Sequence, residues 1–241
     1  MRALAPRAGG AAVLGALALT AAGCSVKAED NANLILGKQQ FVAKCAACHT
    51  LARANAKGII GPNLDEAFRT DLAEGLKRST IRGVVEGQIQ IPNPEGAMPK
   101  DLVTGAVRSD VASYVSQSVD RAGQDTGLLA TAVAPAGAGA PALEKAGKLS
   151  IEASPAGQLS YITNKASAGA GAVTVEMPNK SGVTHNIAIQ QGTSGAVLGA
   201  SAFTANGLAS VKVTLKPGTY TFFCQVPGHR AAGMLGTLTV K

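Results

Sequence analysis

The chain has 241 residues, which leaves room for two domains of about 100 residues behind an export segment. Its formal charge of +7 is uneven: residues 24–121 hold 12 Lys+Arg against 11 Asp+Glu, and residues 122–241 hold 8 against 4. With no long basic run and no basic patch interleaved with aromatics, nucleic acid is excluded as a partner.

In chain order, residues 1–23 have the layout of a secretory signal. Arg2 and Arg7 form a positive start, and Ala11–Ala22 is an apolar run too short to span a membrane comfortably. The run ends in Leu19-Thr20-Ala21-Ala22-Gly23-Cys24. This resembles a bacterial lipobox, with Ala21 where Leu is usual, and implies lipid attachment at Cys24. The alternative is an ordinary cleaved signal with an incidental Cys. Residues 24–30 then form a short tether.

Residues 31–121 read as an all-α module. Gly37, Phe41 and Cys45 recur every four residues on one helical face. Leu72–Glu86 and Arg108–Val119 also carry helical patterning. Residues 122–145, dominated by Ala, Gly, Pro and Thr, read as a flexible linker, spanning roughly 25–30 Å as a coil. From residue 146 to 241 the period changes to two. Val173/Val175, His185/Ile187/Ile189, Val211/Val213/Leu215 and Tyr220/Phe222/Cys224 alternate as strands of an all-β module.

Four Cys and three His carry the chemistry. Cys45-Ala-Ala-Cys48-His49 has the spacing of covalent haem attachment: two thiols reach the vinyl groups of one porphyrin edge, and the adjacent imidazole lies under the iron. A thioredoxin-like pair would want a βαβ context. A zinc site would want two further ligands nearby, and no other His occurs before His185. In the second half, Cys224, His229 and Met234 share one short loop after a strand, with His185 upstream. Two imidazoles, a thiolate and a weak axial thioether make the blue-copper set, whose single geometry suits both Cu(I) and Cu(II). Met177, on the apolar side of a strand, reads as core.

On these motifs residues 31–121 resemble a class I cytochrome c. The resemblance implies that Gly37 lets the first and last helices cross closely, with Asp110, Val111 and Tyr114 on the partner helix. It further implies that the carbonyl of Pro62, in Gly61-Pro62-Asn63-Leu64, accepts the His49 Nδ1–H. Met98, in Gly96-Ala97-Met98-Pro99, is implied as the sixth ligand opposite His49 on one covalent haem c. Residues 146–241 resemble a cupredoxin of the plastocyanin/azurin/auracyanin kind, which implies a Greek-key sandwich. One type 1 copper is then implied at His185, Cys224, His229 and Met234, with Asn186 bracing the Cys loop.

Together the resemblances imply an electron carrier with no catalytic residues. It would sit lipid-anchored on the outer face of the cytoplasmic membrane, with a quinol-oxidising complex as donor and a terminal oxidase as acceptor. Two rivals are an enzyme, such as a copper nitrite reductase fusion, and a copper-delivery protein. The first needs another His-ligated copper and the second a Met- or His-rich cluster, and every His and Cys here already has a role.

Overall fold

Asn33 starts the first helix: its side chain accepts from the Leu36 N–H at 3.0 Å and satisfies a donor the helix leaves open. The computed structural model describes residues 31–241. The signal, Cys24 and the tether therefore lie outside the described residues. Helix α1 runs Leu34–Lys44, and a short hairpin of β1 (Thr50–Leu51) and β2 (Ala56–Lys57) follows it around a 3-10 turn, Ala52–Ala54. Next come α2 (Leu64–Ala67), α3 (Arg69–Ala73), α4 (Arg78–Gln90) and α5 (Gly105–Ser118). The helical patterning over Leu72–Glu86 is not one helix: Gly75 takes φ +95° and separates α3 from α4.

Helices α1 and α5 cross at Gly37, where a Cβ would lie 2.2 Å from the Asp110 carbonyl oxygen. Only a glycine permits that approach. The crossing is tied by the Asn33 N–H on Asp110 Oδ1 at 2.7 Å and by Phe41 against Tyr114, ring centroids 6.1 Å apart. Phe41, Leu51, Ile81, Val111, Tyr114 and Val115 form the centre of this core.

The connection 122–145 is not a coil. Asp125 is buried, with Lys38 Nζ at 3.0 Å, Arg53 Nε at 3.0 Å and the Tyr114 hydroxyl at 2.9 Å, so its two oxygens accept three donors from the α module. Burial alone would raise this carboxyl, but the hydrogen bonds from Lys38, Arg53 and Tyr114 hold it below its ordinary value. Burial pushes the Tyr114 hydroxyl up, and the bond to Asp125 adds to this. Helix α6 (Leu128–Thr131) follows. Leu129 and Val133 pack on the helical core, and Lys38 Nζ donates to the Leu129 carbonyl at 2.7 Å. Further on, β3 (Ala142–Leu143) already belongs to the β module. Composition suggested a flexible segment, and a few anchoring side chains overrule it.

The β module continues with β4 (Lys148–Ser150), β5 (Lys165–Ala168), β6 (Gly171–Asn179), β7 (Ala188–Gln191), β8 (Val197–Ala200), β9 (Gly207–Leu215) and β10 (Gly218–Phe223). A single turn, α7 (His229–Ala232), and β11 (Leu235–Val240) end it. A six-stranded sheet in the order β3-β5-β11-β10-β7-β8 faces a three-stranded one, β4-β6-β9. Leu149, Ile151, Val175, Met177, Ile187, Ile189, Phe222 and Leu238 fill the space between them, each fully buried. Before β10, the Tyr220 hydroxyl donates to the Lys216 carbonyl at 2.9 Å and accepts from the Lys216 N–H at 3.1 Å, locking that corner. Ala32–Lys241 form one compact unit. Among the described residues, no helix is long and apolar enough to cross a membrane.

Candidate metal centres

In the α module, Cys45 caps the end of α1 and its N–H donates to the Phe41 carbonyl at 2.8 Å. The next turn brings the Cys48 and His49 N–H groups onto the Cys45 carbonyl, at 3.0 and 2.9 Å. The two thiols are unpaired, Cys45 buried and Cys48 half-buried. Burial, with Cys48 close by, pushes the Cys45 thiol up to about 12; burial also raises Cys48. Such thiols hold few thiolates, unlike the activated Cys of a redox pair. His49 Nδ1 lies 2.9 Å from the Pro62 carbonyl oxygen, the partner the resemblance implies. This bond puts the proton on Nδ1 and leaves the lone pair of Nε2 free for a metal. Gly61 lies against the ring, where a Cβ would come within 2.5 Å of Cε1, so the loop clamps the imidazole face. Met98 is half-buried and packs on the helical core. Two free thiols beside an oriented imidazole fit a covalently held haem.

In the β module, His185, Cys224 and His229 are all buried, and their donor atoms lie within 4.8 Å of one another. His185 Nδ1 is 3.1 Å from His229 Nδ1, and Cys224 Sγ is 3.5 Å from that same nitrogen. Strand β7 starts only at Ala188, so His185 sits in the approach to it. There it forms an antiparallel bridge with Thr204, with both N–H···O distances 2.9 Å. Cys224 follows the last residue of β10. Gly228 and Gly233, at φ +83° and +113°, fold α7 back. The Cys224 N–H then donates to the Met234 carbonyl at 3.1 Å, and the Met234 N–H to the His229 carbonyl at 2.9 Å. Met234 and Met177 are both fully buried in the sandwich core, and those backbone bonds tie Met234 to Cys224 and His229.

Asn186 fastens the two halves of this site. Its Oδ1 accepts the Gln225 N–H at 2.8 Å, and its Nδ2 donates to Gln225 Oε1 at 2.9 Å. Its own carbonyl takes the Tyr161 hydroxyl at 2.7 Å. Burial pushes His185 down to about 4, with the His229 ring adding to it, and burial lowers His229 too. Both imidazoles are therefore neutral near pH 7, as metal donors must be. Burial raises the Cys224 thiol, and backbone N–H groups of Asn186 and Val226 oppose the rise. His185 Nε2 is buried with no protein partner. Two neutral nitrogens and one sulfur, converging out of water with a Met alongside, are a donor set for copper.

Gln225 and Asp125 were not among the residues singled out in the sequence. The signal for Asp125 was a lone acid in an otherwise uncharged stretch from Ala122 to Leu143.

A cytochrome c family model matches residues 34–118. Cytochrome c6 of Cyanidium caldarium is 34% identical over 92 residues, which span 38% of this chain and 76% of that relative. The chain belongs to the cytochrome c family. Residues 148–241 match the model for copper binding proteins of the plastocyanin/azurin family. Among solved structures, reduced auracyanin of Roseiflexus castenholzii is 24% identical over 41% of this chain and 99% of its own, with TM-score 0.36. Rusticyanin of Thiobacillus ferrooxidans is 21% identical over 42% and 82%, with TM-score 0.32. The chain is thus a cytochrome c domain followed by a plastocyanin/azurin-type copper domain. It is an electron-transfer protein of haem c and type 1 copper.

Proposed function

We propose that the chain is an exported, membrane-anchored shuttle that passes electrons singly between respiratory partners. Cys45 and Cys48 would hold haem c covalently, with His49 and Met98 as the ligands of its iron. His185, Cys224 and His229 would hold the copper, with Met234 as a fourth, weaker donor. The observation that carries the reading is the buried convergence of His185, Cys224 and His229 in the same chain as a His49 oriented by Pro62.

Haem supplies a one-electron iron couple and copper a one-electron copper couple. The protein's own work is positional. Pro62 and Gly61 fix the ring of His49, and Asn186 ties the approach to β7 to the Cys224 loop. Donors held this firmly need little rearrangement when the charge of a bound metal changes. Met98 as an iron ligand would leave no place for external ligands, which favours a carrier over a catalyst. All three His of the chain are committed, so none remains for a further His-ligated copper of the nitrite reductase kind. The carrier acts outside the cytoplasm, held by lipid at Cys24, with a quinol-oxidising complex as donor and a terminal oxidase as acceptor.

Metal analysis of the intact protein tests the core of this proposal. One iron and one copper per chain are expected. Cys224→Ser should lose the copper and its intense visible band while the haem spectrum stays unchanged. Two coppers per chain would favour the enzyme. Mass spectrometry of the mature N-terminus tests the anchor: a lipid-modified Cys24 supports it, and an unmodified or differently cleaved terminus refutes it.

A further inference from the structure

We infer that Ile59 and Gly228 form a fixed internal contact through which the two centres exchange electrons directly, so that each centre is the other's redox partner. This inference rests on the ligand assignments above. Ile59 belongs to the short loop that seals the haem motif. The Thr50 hydroxyl donates to the Gly58 carbonyl at 2.8 Å, and the Gly61 N–H donates to the Cys48 carbonyl at 2.8 Å. The loop is thus stitched to the motif at both ends, and Gly61 touches the His49 ring. Gly228 directly precedes His229. A Cβ there would stand 2.9 Å from Ile59 Cδ1, so the tip of the isoleucine lies close against the backbone of the copper loop. Ile59 is otherwise 71% exposed, and the helical core makes no use of it.

Three further observations show that this contact is held in place. Gly157, at φ +74°, lies against the last turn of α1, where a Cβ would come within 2.6 Å of the Ala43 carbonyl oxygen. Ala46, between the two haem cysteines, and Gly233, next to Met234, line one cleft between the modules. The connection is pinned to the α module at Asp125 and to the β module by Gln158 Nε2 on the Ala134 carbonyl at 3.1 Å, and by β3 in the sheet. A flexible tether would offer only an effective concentration near the millimolar range; a docked connection offers a constant geometry. In the exchange, one electron leaves the reduced centre and enters the oxidised one. Iron passes between ferrous and ferric as copper passes between cuprous and cupric, and no bond or proton moves. The contact joins an apolar side chain to backbone, so salt screening has little on which to act.

The holoprotein, fully oxidised, can be given a single electron by a photoexcited external donor while both chromophores are followed. The inference predicts a first-order redistribution between haem and copper, with a rate unchanged by protein concentration and by salt. Ile59→Ala should lower that rate with both spectra intact, and Ile60→Ala, at an equally exposed neighbour, should not. Pulsed EPR between the oxidised centres should read one narrow distance, independent of turnover. A redistribution rate proportional to protein concentration, a broad distance distribution, or an Ile59→Ala rate equal to wild type would overturn the inference. In those cases both centres still exchange with added one-electron reagents, and the carrier reading stands. A copper that no reductant can reach would refute the carrier reading itself.

Discussion

The two centres differ in how much of each site the polypeptide builds alone. In the β module, His185, Cys224 and Met234 are fully buried and His229 nearly so, inside the sandwich. In the α module, Cys48, His49 and Met98 are half-buried, around a smaller helical core. The copper donors converge within a buried core, whereas most of the haem donors stand at the half-buried edge of theirs. A small helical domain whose donors are only half-buried is expected to rely on its prosthetic group for stability, and the sandwich with its larger core is expected to rely less on its metal.

The largest expected effect separates the modules on that basis. With haem attachment blocked by Cys45→Ala and Cys48→Ala together, circular dichroism should show loss of most helical signal, while the copper band survives. Withholding copper instead should leave both the sheet and the helix signals in place. Equal losses in both cases would remove the contrast.

A smaller effect probes the junction. Asp125→Asn leaves the buried Lys38 and the half-buried Arg53 charges without their anion, so denaturant unfolding of the haem domain should show a loss of about 3 kcal/mol. The same carboxyl predicts a pH signature. Its folded pKa lies below the ordinary 3.8, so its contribution is complete above that value and disappears as pH falls through the folded pKa. Wild type should lose this increment in acid, and the Asn variant should have none to lose. The connection should also resist proteolysis in wild type and be cut faster in the variant.

The smallest effect concerns the helix crossing. Gly37→Ala pushes a Cβ into the Asp110 backbone, at an overpacking cost of about 1–3 kcal/mol. Helix propensity returns roughly 1 kcal/mol, so the haem domain should lose on the order of 1 kcal/mol in thermal melts, with the copper domain unaffected.

What sequence revealed follows the range of each interaction. The haem motif is contiguous, and the copper loop lies within Cys224–Met234, so spacing alone pointed to both candidate sites. Gly37 was legible because a glycine recurs on one helical face with Phe41. The connection was misread because its structure comes from residues far away in the chain: Asp125 is meaningful only beside Lys38, Arg53 and Tyr114. Alternation placed His185 within a strand, but the backbone there bridges Thr204 before β7 begins. Likewise, the helical period ran through Gly75, whose positive φ divides α3 from α4.

The central claim is that one chain carries two distinct one-electron centres, one haem and one copper. A spectroelectrochemical titration of the intact protein tests it most directly. The account predicts two reversible one-electron transitions, one on the haem bands and one on the Cys224 thiolate-to-copper band. A single transition, or a copper band absent from the metal-loaded protein, would contradict it.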